Sequence, residues 1–132
     1  MGSDFKTNAN VVYSSKYHGV WCPKYASKIL FNSVDTRLKD IIHQTAQEFR
    51  ATVIELEGMP DQVHLLCEVD PQFGLHRLVR HLKGRSSRLL QQESPWLRSR
   101  LRALWTNSYF VATVGGAPQA VIKQYNENQK SV

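Results

Sequence analysis

Apolar positions recur along this chain with two different periods, and the changes of period mark its elements. Between Asn10 and Cys22 the β-branched and aromatic residues Val11, Val12, Tyr13, Tyr17, Val20 and Trp21 predict a first strand, which Pro23 ends. Val34, Leu38, Ile41, Ile42, Thr45 and Phe49 then fall at helical spacing. They predict an amphipathic helix from about Val34 to Arg50, with Asn32 and Ser33 as candidate N-caps and Asp35 in the first turn. Thr52–Glu57 has strand composition, and Gly58-Met59-Pro60-Asp61 reads as a turn into a second strand, so the two are expected to pair as a hairpin.

In that second strand Val63, Leu65, Cys67 and Val69 share one face, while Gln62, His64 and Glu68 share the other. Leu75, Leu78, Val79, Leu82, Leu89 and Leu90 predict another amphipathic helix, from about Gly74 to Gln92, stopped by Pro95. After an arginine-rich connector from Trp96 to Leu104, residues Tyr109, Phe110, Val111, Thr113 and Val114 read as a last strand closed by Gly115-Gly116. Pro118 then opens a terminal helix carrying Val121, Ile122, Tyr125 and Gln129.

The order β-α-β-β-α-β plus a helix is the ferredoxin-like split βαβ pattern. It predicts an α+β fold with a four-stranded antiparallel sheet, two helices on one face and the other face free. The scaffold hosts many activities, so it does not assign one.

The 132 residues suit a single domain over 1–132, with a polar stretch at 1–9 expected to be loose and a terminal helix and tail over 117–132. Hydrophobic content of 42% and charged content of 21% are globular values, and no apolar run approaches the roughly eighteen residues that span a bilayer. The start, Met1-Gly2-Ser3-Asp4, lacks a secretory pattern, and Cys22 and Cys67 lie far apart on expected strands. Reduced buried thiols and a cytoplasmic protein with no membrane partner are expected.

Net charge changes the picture more. A formal charge of +6 favours a polyanionic partner, nucleic acid or an anionic surface. Its densest part runs from Arg77 to Arg102, which holds eight arginines or lysines and a single acid, Glu93. A solvated helix mixes both signs, so this asymmetry points to phosphate binding. Trp96 within it and Trp105 and Tyr109 just beyond it could stack on bases, although core packing suits Trp105 better.

Candidate chemistry is sparse. Gln62 and His64 point the same way from one strand, and a spacing of four stacks Tyr125 over Gln129 on one helix face. If that helix crosses that strand, one imidazole, two amides and a phenol converge. Taken singly, a histidine on a polar strand face is more often a surface residue than a ligand, and a tyrosine on an amphipathic helix usually packs its ring.

Several segments together carry a resemblance. They are Tyr17-His18-Gly19-Val20-Trp21-Cys22-Pro23-Lys24-Tyr25, Met59-Pro60-Asp61-Gln62-Val63-His64-Leu65-Leu66, Leu82-Lys83-Gly84, Leu104-Trp105 with Ser108-Tyr109, and Ile122-Lys123-Gln124-Tyr125. In this order they resemble the small single-tyrosine TnpA transposases of bacterial and archaeal insertion sequences, and they span nearly the whole chain. The family belongs to the HUH endonucleases, named for two histidines flanking a bulky apolar residue on a strand. Here those positions are Gln62, Val63 and His64, so the second histidine matches and the first does not.

The resemblance implies a DNA transposase that cuts and rejoins single-stranded DNA at insertion-sequence ends through a 5′-phosphotyrosine intermediate. It gives Tyr125 the role of nucleophile and His64, Gln129 and Gln62 that of ligands to a divalent metal, Mg²⁺ or Mn²⁺. Partners implied are single-stranded DNA with hairpins and a second copy, in a homodimer with composite active sites. The setting implied is the cytoplasm of a prokaryotic cell, nucleoid-associated when DNA is bound. Arg80, Lys83, Arg85 and Arg88 are the expected phosphate contacts.

Gln62 leaves three readings open: a tolerated natural variant, an engineered inactive form, or a catalytically impaired or domesticated copy that binds hairpin DNA without cutting it. An RNA-binding domain of the same general fold fits less well, because its characteristic aromatic strand motifs are absent.

Overall fold

The computed structural model describes residues 6–8, 11–13 and 16–114, the first two segments as backbone only. The expected helix over 117–132, with Tyr125 and Gln129, lies outside the described residues. Two short strands, β1 (Lys6–Asn8) and β2 (Val11–Tyr13), pair antiparallel as a separate ribbon. The main sheet contains β3 (Lys16–Trp21), β4 (Thr52–Met59), β5 (Gln62–Glu68) and β6 (Phe110–Thr113), in the order β4-β5-β3-β6 with every pairing antiparallel. The helices are α1 (Asn32–Glu48), α2 (Leu75–Glu93) and the short α3 (Pro95–Arg100). This is the ferredoxin-like α+β arrangement.

The single strand expected over 10–22 is thus two strands, and β1 forms within the polar stretch expected to be loose. Ser14 and Ser15, which lie between the two, are outside the described residues.

Period-two burial on β5 places the core. Val63, Leu65 and Cys67 are all at most 1% exposed, and they pack with Trp21, with Leu38, Ile41 and Ile42 of α1, and with Leu78, Val79 and Leu82 of α2. Cys22 and Cys67 are buried and form no disulfide, as expected. Burial pushes their thiols up to about 11 and about 12, so neither ionises near neutral pH.

Neither Asn32 nor Ser33 caps α1. Phe31 stands at the cap, Asn32 opens the helix at φ 52, a left-handed conformation that asparagine tolerates, and no side chain caps this end. Leu30 N–H donates to Pro60 O at 3.0 Å, which ties the start of this helix to the β4–β5 turn. A Cβ at Gly58, near the end of β4, would meet the Asp35 carboxylate on α1, which would have to shift.

Trp105 is core. Its Nε1–H donates to Ser86 Oγ at 3.0 Å, with both residues buried. Ser86→Ala leaves that indole N–H without a partner, so we expect a loss of about 1–3 kcal/mol in chemical denaturation. An unchanged midpoint and slope would show that this bond contributes nothing.

Candidate active site and nucleic-acid interface

The face of the sheet opposite the helices carries the polar half of the β5 alternation. Directly paired residues share a face, so His64 lies between Val20 of β3 and Glu57 of β4, and Gln62 lies beside Met59. His64 Nε2 is buried and has no hydrogen-bond partner among the described residues. Burial pushes the imidazole pKa below its usual 6.5, Glu57 opposes that shift, and His18 adds to it. A neutral ring with a free nitrogen is the result. Gln62 is 8% exposed, and its Nε2–H donates to Met59 Sδ at 2.8 Å, a weak acceptor.

The His64 shift has a sign that can be checked. Above pH 6.5 the ring is neutral in both folded and unfolded chains and adds no pH dependence. As pH falls below 6.5 the unfolded chain takes a proton that the folded chain refuses, so stability drops until the lower folded pKa is passed. Denaturation across this range is expected to show a shallower acid-side decline for His64→Gln than for the parent, and identical slopes would refute the assignment.

Glu57 and His18 are the neighbours that the sequence left unnoticed. The alternation in Thr52–Met59 was a signal for Glu57, but its position opposite His64 follows only from the strand register. No trio of His, Cys, Asp or Glu close enough to hold a metal occurs among the described residues. A set built from His64 and two glutamines is of a different composition.

The four expected phosphate contacts divide into two kinds. Lys83 is half-buried: its Nζ donates to Thr106 O at 2.7 Å and lies 5.2 Å from the Tyr109 ring centroid. Burial lowers its pKa, with Cys22 opposing. Arg85 grips the Glu48 carboxylate at 2.5 and 3.2 Å, which raises the guanidinium pKa and lowers that of the acid. Arg80 and Arg88 are exposed and pair with no acid among the described residues. Glu93, the one acid of the basic band, is taken by Arg37 of α1 through bonds of 2.8 and 3.0 Å. Arg37 offsets Glu93 and Glu48 offsets Arg85, so the two ion pairs cancel and the band keeps the one-sided positive charge of its sequence.

A family model, that of IS200-like transposases, matches residues 11–129. The chain belongs to this family. This transposase is 38% identical over 128 residues to the ISDra2 transposase TnpA of Deinococcus radiodurans, covering 96% of the chain and 91% of the relative. It is 29% identical to the transposase for insertion sequence element IS200 of Salmonella typhimurium, over 96% of the chain and 84% of that protein. Among solved structures, a protein of Deinococcus radiodurans described as a transposase superposes with a TM-score of 0.87 at 37% identity, covering 94% and 97% of the two chains. A REP-associated tyrosine transposase bound to a REP hairpin shares the fold, with a TM-score of 0.60 at 10% identity over 93% of this chain and 67% of that one. Among the described residues of this transposase no helix is long and apolar enough to cross a membrane.

Proposed function

We propose that this transposase cuts and rejoins single-stranded DNA beside hairpins at the ends of its element, with Tyr125 as nucleophile. The observation that carries the reading is His64. A neutral imidazole on the sheet face opposite the helices, whose buried Nε2 has no partner among the described residues, has the chemistry of a metal ligand.

In the reaction the Tyr125 phenolic oxygen attacks the scissile phosphorus and the bond to the 3′-oxygen breaks. That oxygen gains a proton and leaves as a 3′-hydroxyl, while the 5′-phosphate stays on the tyrosine. Attack by a 3′-hydroxyl on the phosphotyrosine reverses the step at a new junction, so no external energy source is needed. His64, Gln62 and Gln129 would hold Mg²⁺ or Mn²⁺, which when bound polarises the phosphate and offsets the charge that develops on the leaving oxygen. An amide–imidazole set suits Mn²⁺ better than Mg²⁺, which favours charged oxygen ligands. Arg80 and Arg88 are free to meet the DNA backbone.

The working unit in this proposal is a homodimer in which each Tyr125 completes the partner's metal strand. Light scattering at micromolar concentration is expected to return twice the chain mass, and a monomer there would overturn the composite site.

Incubation with Mn²⁺ and hairpin-bearing single-stranded DNA is expected to yield a covalent protein–DNA adduct that survives denaturation. Gln62 favours a second reading, because an amide engaged with Met59 Sδ is a poorer ligand than an imidazole. Hairpin binding without any adduct would select this alternative, a homologue that grips DNA and does not cut it.

A further inference from the structure

A second basic site lies between the segment that leaves β3 and the segment that follows α3. Lys24 N–H donates to Leu104 O at 2.8 Å, Thr106 N–H donates to Cys22 O at 3.1 Å, and Pro23 bridges Trp105, so the two segments brace each other. From α2, Gln91 Nε2 donates to Leu101 O at 2.9 Å and to Arg102 O at 3.1 Å, which fixes the loop from its other side. Between them is a cavity of about 310 Å³ lined by Lys24, Tyr25, Arg100, Leu101, Arg102 and Ala103.

Its chemistry is one-sided. Three cations line it with no acid, and none of the three forms an ion pair among the described residues. Tyr25 and Ala26 both adopt left-handed backbone, at φ 61 and 51, which is costly for residues with a Cβ. Core packing of the tyrosine does not offset that cost, because the residue is 60% exposed. Lys24 Nζ lies 5.5 Å from the ring centroid. Strain that sets out an exposed aromatic beside unpaired cations is the pattern of a binding site.

We propose that this cavity takes one unpaired nucleotide of the DNA strand flanking the hairpin. The base stacks on the Tyr25 ring, and Lys24, Arg100 and Arg102 meet the adjoining phosphates. Duplex DNA fits poorly, since the faces of its bases are already stacked on their neighbours. Location supports the assignment: Trp21, at the end of β3, pairs with Val63 directly after Gln62, so the segment carrying Lys24 and Tyr25 leaves the sheet at the end where β5 begins. The inference rests on the single-strand reading of the chain and adds to it a contact site separate from the tyrosine and metal residues.

The test compares binding of the full chain to a hairpin alone and to the same hairpin with a short unpaired flank, by fluorescence anisotropy. For the parent protein the flank is expected to tighten binding. Tyr25→Ala removes about 10-fold of affinity for the flanked DNA and leaves the bare hairpin unaffected, while Tyr25→Phe keeps the gain. Arg100→Ala with Arg102→Ala lowers the salt dependence of flanked binding by about one to two phosphate contacts. An unchanged thermal midpoint for Tyr25→Ala excludes misfolding. Equal loss on both DNAs, or no loss, would overturn the pocket. Hairpin binding with no gain from the flank would overturn the pocket alone, whereas failure to bind either DNA would overturn the functional reading with it.

Discussion

Tyr125→Phe abolishes the covalent adduct while hairpin binding stays within about 2-fold of the parent. The substitution removes one oxygen and keeps the ring, and in the proposed mechanism the lost atom is the one that would bond to phosphorus. A phenol near pKa 10 is a weak nucleophile at neutral pH and acts through orientation and stabilisation of the transition-state charge. Nothing in phenylalanine can replace it. Strand cleavage is therefore expected to fall by about 10⁴-fold or more, the scale on which deletion of a nucleophile acts. Residual cleavage near the parent rate would place the nucleophile elsewhere. Water as attacking group would then be indicated by cut DNA that carries no protein.

Periodicity carried most of the fold. The stripe Leu75, Leu78, Val79, Leu82 and Leu90 located α2 to within a residue at either end, because burial against a sheet imposes that spacing directly. Propensity alone misled at the first strand, since β-branched residues continue on both sides of Ser14-Ser15 while the chain changes sheet between them. Asn32 misled for a related reason: a good cap residue also tolerates positive φ, and only the tie of Leu30 to the β4–β5 turn decides which use prevails.

The candidate site divides along similar lines. Alternation on one strand was enough to put Gln62 and His64 on one face. What surrounds them depends on register between strands, so no local pattern placed Glu57 and His18 beside His64. Arg80, Lys83, Arg85 and Arg88 look equivalent along α2, yet Glu48 from α1 and the carbonyl of Thr106 engage two of them and leave the other two exposed. Tyr25 meets Arg100 and Arg102 only because the segments after β3 and α3 pair.

Gln62→His is expected to raise Mn²⁺ affinity by about 10- to 100-fold and to increase adduct yield at limiting metal. Position 62 is buried next to His64 on the same face, so a second imidazole enters beside the first without a change of backbone. It gives up only the contact with Met59 Sδ, a weak acceptor whose loss costs little. Imidazole suits transition metals more than it suits Mg²⁺, so the gain is larger for Mn²⁺ and the preference between the two ions shifts. Two imidazoles must both be neutral to bind. The advantage therefore shrinks in acid, once the new histidine begins to hold its proton. Calorimetric titration of Mn²⁺ into both proteins measures this, with His64→Ala as the reference for a site lost outright. Equal affinity in parent and Gln62→His would remove residue 62 from the ligand set. Tighter Mn²⁺ binding without an increase in adduct would locate the limiting step in the placement of Tyr125, not in the metal.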